Sequence, residues 1–226
     1  MKHTKDRKWY INLLYAIYSI GGYFLIPGIL YSIISNGKEN DGLSQIIALL
    51  IFAITLFIIY HKDLKKELFH FIKNFKSSMK DSIKYYFAGL GFMVLSNLII
   101  AITLKNISAN EEAVRSMLVD NPIIMMIQIA ILAPLIEEIM FRKSLMPVLK
   151  NKWIYALVSG FLFGGAHLLG EPITLTSLVY IIPYSSLGVC FALMNHKNKS
   201  TWNSITMHAI HNFCTGALLL LVYGVL

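Results

Sequence analysis

The sequence predicts an all-α fold, a polytopic membrane helix bundle of about seven transmembrane helices plus one amphipathic helix in the membrane interface. Composition is the first observation behind this prediction. Of the 226 residues, 56% are hydrophobic and only 14% are charged, whereas a soluble domain carries about 25% charged residues. The second observation is that the apolar residues fall into segments near the ~20 residues that a helix needs to cross the hydrocarbon.

The predicted spans follow one another with short connections. They cover 10–35, 44–61, 82–104, 122–149, 152–169, 173–194 and 202–225. The connection between the second and third spans is amphipathic, and its apolar residues recur at helical spacing: Leu64, Leu68, Phe71, Phe75 and Met79. A helix over 62–80 is therefore predicted to lie in the interface with its lysines towards anionic headgroups. No connection is long enough for a second folded domain, so 1–226 is predicted to be a single integral membrane domain.

Positive charge is concentrated at one end of these spans. The chain has 20 Lys and Arg against 12 Asp and Glu, a net charge of +8. On the predicted topology only Lys38, Lys105 and Arg115 lie on one side, and the other 17 basic residues share the opposite side: Lys2, Lys5, Arg7, Lys8, Lys62, Lys65, Lys66, Lys73, Lys76, Lys80, Lys84, Arg142, Lys143, Lys150, Lys152, Lys197 and Lys199. Because positive charge marks the cytoplasmic side, the N-terminus is predicted to be cytoplasmic and the C-terminus outside, in the cytoplasmic membrane of a bacterium. Topology accounts for the basicity, so the lipid bilayer and not nucleic acid is the predicted partner.

Two adjacent carboxylates and an arginine interrupt the fourth span. No residue in 123–136 is charged, and Glu137, Glu138 and Arg142 then follow. One such charge near the centre of a membrane helix costs about 2.5–3.5 kcal/mol on insertion scales, so several together indicate a use. They either form a polar site inside the membrane or hold the helix bundle together. Pro134, one turn earlier, removes an intrahelical hydrogen bond, and broken helices are tolerated at membrane depth where they line a cavity.

Polar residues recur at helical spacing on three spans. Glu138 and Arg142 are four residues apart and share a face, which favours an intrahelical ion pair, whereas Glu137 is rotated by about 100° and faces elsewhere. Two further pairs have the same spacing: Phe163 with His167 on the fifth span, and His208 with Asn212 on the seventh. Each pair by itself could be structural. Together they supply a carboxylate that takes a proton, histidines that share it and an amide donor, which are groups that peptide hydrolysis uses.

Other intramembrane hydrolase chemistries lack their residues in this chain. There is no H-E-x-x-H, so the usual zinc-protease helix is absent. No serine stands in a G-x-S-x-G setting, and no aspartate lies deep in a span. The serine and aspartyl protease mechanisms therefore lack their nucleophile and their pair of acids.

The three motifs together resemble the CPBP intramembrane proteases (CAAX protease and bacteriocin-processing, or Abi), a group that includes the type II CAAX prenyl endopeptidases. The family pattern is E-E-x-x-x-R, F-x-x-x-H and H-x-x-x-N on successive transmembrane segments. No motif position departs from it here, and the resemblance covers 120–215. The matching residues are Glu137, Glu138, Arg142, Phe163, His167, His208 and Asn212. The first hundred residues match the family only in being hydrophobic.

The resemblance implies an intramembrane endopeptidase and gives the residues of the fourth and fifth spans their roles. Glu137 and His167 would polarise the hydrolytic water. Glu138 with Arg142 would orient the first glutamate or bind the substrate backbone. Glu137 is the predicted base, because Glu138 shares its face with Arg142 and an ion-paired carboxylate is the weaker base.

The resemblance also implies that His208 and Asn212 stabilise the oxyanion. It leaves the cofactor open between a divalent metal such as zinc and none. Glu137, His167 and His208 are ligand types that zinc accepts, and three protein ligands plus water is the usual catalytic zinc arrangement. The sequence favours metal-independent glutamate catalysis slightly and does not define the oligomeric state.

Three functions fit this pattern. The first is an intramembrane endopeptidase that acts on a membrane-associated peptide or protein. The Lys-, Ile- and Asn-rich composition is typical of an AT-rich bacterial genome, and bacteria generally lack prenylated proteins, so a bacteriocin, pheromone or leader peptide suits the site better than a CAAX protein. The second is a non-catalytic immunity or regulatory protein that binds such a peptide or a sensor protein. The third is a proton-coupled transporter, which the lack of an inverted repeat disfavours.

One geometric expectation conflicts with a shared site. Counted from Lys152, His167 lies about 22 Å up a straight helix, while His208 lies only about 10 Å above Thr201. Straight helices of equal tilt would leave the two rings at different depths. A tilted or interrupted fifth helix, or a start set deeper in the membrane, is needed to bring the rings together.

Overall fold

The chain folds into helices joined by short connections. The computed structural model describes residues 7–38, 41–104, 108–170, 172 and 174–224. The helices are α1 (Trp9–Ile34), α2 (Gly42–Lys73), α3 (Phe75–Leu104), α4 (Ala109–Asp120), α5 (Pro122–Lys143), α6 (Lys152–Ala166), α7 (Leu175–Leu178), α8 (Ile181–Asn198) and α9 (Trp202–Val222). No strand occurs in these described ranges, which confirms the predicted all-α membrane bundle. Lys2, Lys5 and Lys105 of the predicted charge asymmetry lie outside the described residues, as do positions 173 and 225 of two predicted spans.

The helices form a multi-pass membrane protein. Within the described part of the chain, five helices are long and apolar enough to cross a bilayer: α1, α2, α3, α5 and α9. The predicted fifth and sixth spans correspond to α6, with 15 residues, and α8, with 18 residues, and neither is among these five. The count of seven spans therefore stays a prediction.

The helices α6 and α8 approach each other closely because both carry glycines at the contact. A Cβ added at Gly188 of α8 would stand 2.9 Å from the Cα of Gly160 in α6. One turn further along α6, a Cβ at Gly164 would meet the Ser185 hydroxyl and the main chain of α8. Small residues allow membrane helices to pack backbone to backbone. This packing fixes which face of α6 turns towards α8 and so helps to place His167 at its end.

The predicted interfacial helix over 62–80 is not a separate element. α2 continues through the first half of this segment, and α3 begins directly after a break at Asn74. Leu64 and Phe71 of the apolar stripe are only 2% and 8% exposed, so this part of the stripe faces the protein and not the lipid. The 32 residues of α2 reach about 48 Å, against about 30 Å of hydrocarbon, so a helix of this length extends beyond the membrane core.

Buried polar contacts gather the basic ends of the spans at one end of the bundle. Arg7, just before α1, pairs with Asp63 of α2. Lys143 at the end of α5 pairs with Glu67 of α2, and Glu67 also accepts a hydrogen bond from the Thr201 main-chain N–H at 2.8 Å. Segments that the charge pattern assigns to one side of the membrane therefore lie together in the fold.

Candidate active site

The helix α5 is irregular on both sides of its two glutamates. π-helical turns cover Gln128–Leu132 and Ile139–Lys143, and an α-helical segment, Ala133–Glu138, lies between them. The proline at position 134 has no N–H to donate, which accounts for the irregular hydrogen bonding on the first side. π-turns are rare and often occur at functional sites. Both glutamates therefore sit on a short segment whose orientation depends on the turns around it.

Glu138 is fully buried and bridges two partners. Its Oε1 lies 3.0 Å from Arg142 Nη1 and accepts a hydrogen bond from His208 Nδ1 at 3.0 Å. The intrahelical ion pair expected from the spacing is present, whereas the contact with His208 is not expected from it and joins α5 to α9. A buried charge is costly unless it is paired and hydrogen-bonded. Glu138 therefore holds Arg142 and His208 in place at the same time.

Arg142 is enclosed by main chain and aromatic rings. Its Nη2 donates to Gly188 O of α8 at 3.1 Å. Its guanidinium carbon lies 4.5 Å from the ring centroid of Phe163 and 5.6 Å from that of Phe191, within the range of cation–π attraction. Arg142 thus connects α5 to α6 and α8, and its side chain is 0% exposed.

Glu137 is the less enclosed of the two carboxylates. Its side chain is 12% exposed, and its Oε2 is buried without a hydrogen-bond partner among the residues that the structure describes. That oxygen lies 3.9 Å from His208 Nε2, too far for a direct hydrogen bond. His208 therefore stands between the two glutamates, with Nδ1 towards Glu138 and Nε2 towards Glu137. An unsatisfied buried carboxylate oxygen is uncommon and indicates a role beyond packing.

His167 follows the end of α6, and its ring and the His208 ring both lie next to the Phe163 ring. Its Nδ1 lies 2.9 Å from Phe163 O and donates to it, because a carbonyl oxygen only accepts. The His167 ring stacks on Tyr184 with centroids 4.4 Å apart. The Phe163 ring centroid lies 4.5 Å from that of His167 and 5.6 Å from that of His208. The two histidines therefore both lie beside Phe163, and the difference in depth expected for straight helices does not keep them apart.

Asn212 is turned towards the main chain of α5. Its Nδ2 donates a hydrogen bond to Ile129 O at 2.8 Å, inside the first π-turn. The adjacent His211 contacts the Tyr86 hydroxyl of α3 through Nδ1 at 3.1 Å. Five of the six predicted site residues thus contact one another directly or through Phe163, whereas Asn212 contacts the backbone that precedes the glutamates.

The three candidate metal ligands do not form a metal centre in this arrangement. In the ranges that the structure describes, no three His, Cys, Asp or Glu side chains come close enough together to hold a metal ion. Catalytic zinc requires three protein ligands at about 2.0–2.2 Å, and Glu137, His167 and His208 are not arranged in that way. No reaction step is therefore assigned to a metal.

The spacing of the motifs does not predict the aromatic residues that surround the site. Tyr184 stacks on His167, and its hydroxyl lies 3.0 Å from Ser108 Oγ, next to α4. The Phe191 ring lies 5.3 Å from the His208 ring, centroid to centroid. Both aromatic residues belong to α8, a helix without a motif residue, so no spacing rule marks them.

Comparison with known proteins gives a family match for the part of the chain that carries the site. Residues 119–214 match the family model described as "Type II CAAX prenyl endopeptidase Rce1-like", and all six predicted site residues fall inside this match. Residues 119–214 of this chain are therefore similar to the CAAX proteases of the CPBP family. The resemblance seen in the three motifs is thereby confirmed.

Two bacterial proteins are similar to this chain. The Bacillus subtilis (strain 168) protein named "Putative membrane peptidase YdiL" is 23% identical over 235 residues, which cover 92% of this chain and 87% of the relative. The Lactococcus lactis subsp. lactis (strain IL1403) protein named "UPF0177 protein YaiH" is 31% identical over 104 residues, 46% of this chain and 41% of the relative. No solved structure is a significant match. The family and the first relative support a protease role in the membrane.

Proposed function

We propose that this chain is an intramembrane endopeptidase that hydrolyses peptide bonds of a membrane-associated peptide or protein with a water activated by Glu137. The observation that carries the proposal is the buried Oε2 of Glu137, which has no hydrogen-bond partner in the described part of the chain and lies 3.9 Å from His208 Nε2. A carboxylate is expensive to keep in a membrane span. A general base needs a free oxygen within reach of the proton that it takes. Glu137 has one, and although Glu138 Oε2 is also without a partner among the described residues, only Glu138 is ion-paired with Arg142.

The two adjacent glutamates differ in their availability as a base. Glu138 shares its Oε1 between Arg142 and His208. A carboxylate that balances a buried guanidinium cannot take up a proton without leaving that charge unpaired, which is strongly unfavourable. Glu137 has no such partner. We therefore assign the base to Glu137 and the positioning of His208 to Glu138.

The hydrogen bonds of the two histidines determine which ring nitrogen of each is free to bind water or substrate. Nδ1 of His167 donates to a carbonyl and Nδ1 of His208 donates to Glu138, so Nε2 is the unprotonated nitrogen of both neutral rings. His167 Nε2 then accepts a hydrogen bond from the attacking water, which Glu137 also binds. His208 Nε2 faces Glu137. In the imidazolium form, with a second proton taken from solvent before the substrate binds, this nitrogen donates a hydrogen bond to the oxyanion.

Glu137 acts first as a base and then as an acid in this reaction. It takes one proton from the water as the water oxygen bonds to the peptide carbonyl carbon, and the carbonyl oxygen becomes an oxyanion. His208 donates a hydrogen bond to that oxyanion. When the C–N bond breaks, Glu137 returns its proton to the leaving nitrogen. The products are a carboxylic acid and an amine.

The bacterial relatives indicate the location of the protein, and the position of the site among membrane helices indicates the class of its substrate. We place the protein in the cytoplasmic membrane of a bacterium, since both relatives are bacterial. A site enclosed by membrane helices accepts a chain that itself lies in or on the bilayer. A short bacteriocin, pheromone or leader peptide is therefore the proposed substrate class.

Purified protein reconstituted in liposomes is expected to cleave at least one such peptide. Mass spectrometry should detect two fragments whose masses sum to the peptide plus one water. Because the proposed water activation uses side chains only, cleavage is expected to continue in EDTA or 1,10-phenanthroline. Loss of cleavage in a chelator and its recovery on adding zinc would contradict this mechanism. Peptide binding without cleavage would favour the immunity or regulatory function instead.

The proposed orientation is tested by cysteine labelling in intact cells. In a background with Cys190→Ala and Cys214→Ala, single Lys73→Cys and Glu112→Cys variants place thiols at two exposed positions. Lys73 lies at the basic end of the bundle and should be labelled only after the membrane is made permeable. Glu112 lies on α4 at the opposite end and should react from outside. Reaction of both positions from the same side would refute this topology.

A further inference from the structure

We propose that Asn212 is a positioning residue. It supplies the hydrogen bond that Pro134 cannot make to Ile129 O, and it thereby sets the orientation of the segment that carries Glu137. This inference rests on the proposed function, since Glu137 is the base of that reaction. It differs from the oxyanion role that the family resemblance implies for Asn212.

The main chain of α5 leaves one carbonyl without its expected donor. In the first π-turn the Ala133 N–H donates to Gln128 O, five residues earlier. In the same register the donor to Ile129 O would be the nitrogen of residue 134, which is a proline and has no N–H. Asn212 Nδ2 donates to this carbonyl at 2.8 Å. A side chain of α9 therefore replaces a main-chain hydrogen bond, as membrane-buried carbonyls require.

The second π-turn is held in the same way from another helix. Ser159 Oγ donates to Phe141 O at 2.9 Å, and Tyr155 OH donates to Arg142 O at 3.3 Å. Both donors lie on α6. The two irregular turns around Glu137 are thus stabilised by side chains of α9 and α6, which are the helices that place the two site histidines. The same packing that brings the histidines together also orients the base.

Loss of the Asn212 donor acts on catalysis through this backbone. A π-turn accommodates one extra residue, and its return to α-helical register rotates the following residues by about 100° relative to the preceding ones. Such a rotation would turn Glu137 away from His208. A misplacement of about 1 Å in a catalytic group is enough to cost on the order of 100-fold in rate.

The decisive experiment restores the missing N–H. Asn212→Ala is expected to lower kcat by about 100-fold, to change KM little, and to lower Tm. The double variant Asn212→Ala/Pro134→Ala regains a main-chain donor for Ile129 O, so it should recover most of the lost kcat and Tm. The matched control is Asn212→Ala/Pro27→Ala, which changes a proline inside α1 and should recover neither.

The outcomes separate the two roles of Asn212. Recovery of Tm without recovery of kcat would overturn the positioning role and show that Asn212 acts directly on the reaction. Recovery by Pro27→Ala as well, or by neither proline variant, would overturn the link between Asn212 and Pro134. If the wild-type protein cleaves no peptide, the proposed function fails. The Tm values alone then show whether Asn212 replaces the hydrogen bond that Pro134 cannot donate to Ile129 O.

Discussion

Glu137→Gln is expected to lower the rate of peptide cleavage by a factor of about 100 to 10,000, the contribution typical of a general base. Glutamine keeps the shape of the side chain but cannot take a proton from water. Because Glu137 Oε2 has no hydrogen-bond partner among the described residues, the substitution breaks no hydrogen bond of that atom. Membrane insertion and Tm should therefore stay close to wild type.

The rate of cleavage and Tm are to be measured on the same reconstituted preparation. Glu112→Gln is the matched control, because Glu112 is an exposed acid on α4 and should retain full activity. A Glu137→Gln protein that cleaves at the wild-type rate would end the proposed mechanism. A Glu137→Gln protein that fails to fold would favour a role for these acids in stabilising the bundle.

Glu138→Gln is expected to lower both activity and stability. Glu138 is fully buried and partners Arg142 and His208. Removing one partner of a buried ion pair costs about 3–5 kcal/mol, because the remaining charge is left without compensation. The loss should appear as a lower Tm and, because His208 Nδ1 loses its carboxylate acceptor, as a lower kcat.

A double variant separates these two effects of Glu138. Glu138→Gln/Arg142→Met removes the unpaired guanidinium and keeps a similar side-chain volume, and such replacements of buried ion pairs are often neutral or stabilising. Its Tm should therefore recover relative to Glu138→Gln, while kcat stays low. If Glu138→Gln alone unfolds at the wild-type temperature, the pair with Arg142 contributes nothing to the fold, and the distinction drawn between the two glutamates is wrong.

Composition and spacing were sufficient for the class of the protein and for the identity of its polar residues. A low charged fraction and apolar segments of about 20 residues predict membrane helices because the bilayer core requires them. The i,i+4 spacing of Glu138 and Arg142 predicts their ion pair because helical neighbours are set by local geometry alone. The three ordered motifs were enough to recognise the family, which the match to residues 119–214 confirms.

Contacts between helices depended on the tertiary structure. Spacing shows that His208 and Asn212 share a face of α9, but not that His208 bridges two glutamates while Asn212 binds Ile129 O. An amphipathic stripe likewise shows which residues of a helix are apolar. It does not show whether that apolar face contacts the membrane interface or a neighbouring helix. Periodicity describes a single helix. The relative depth and rotation of two helices, and the residues that contact each other between them, depend on both helices. Packing such as that of Gly160 against Gly188 determines them.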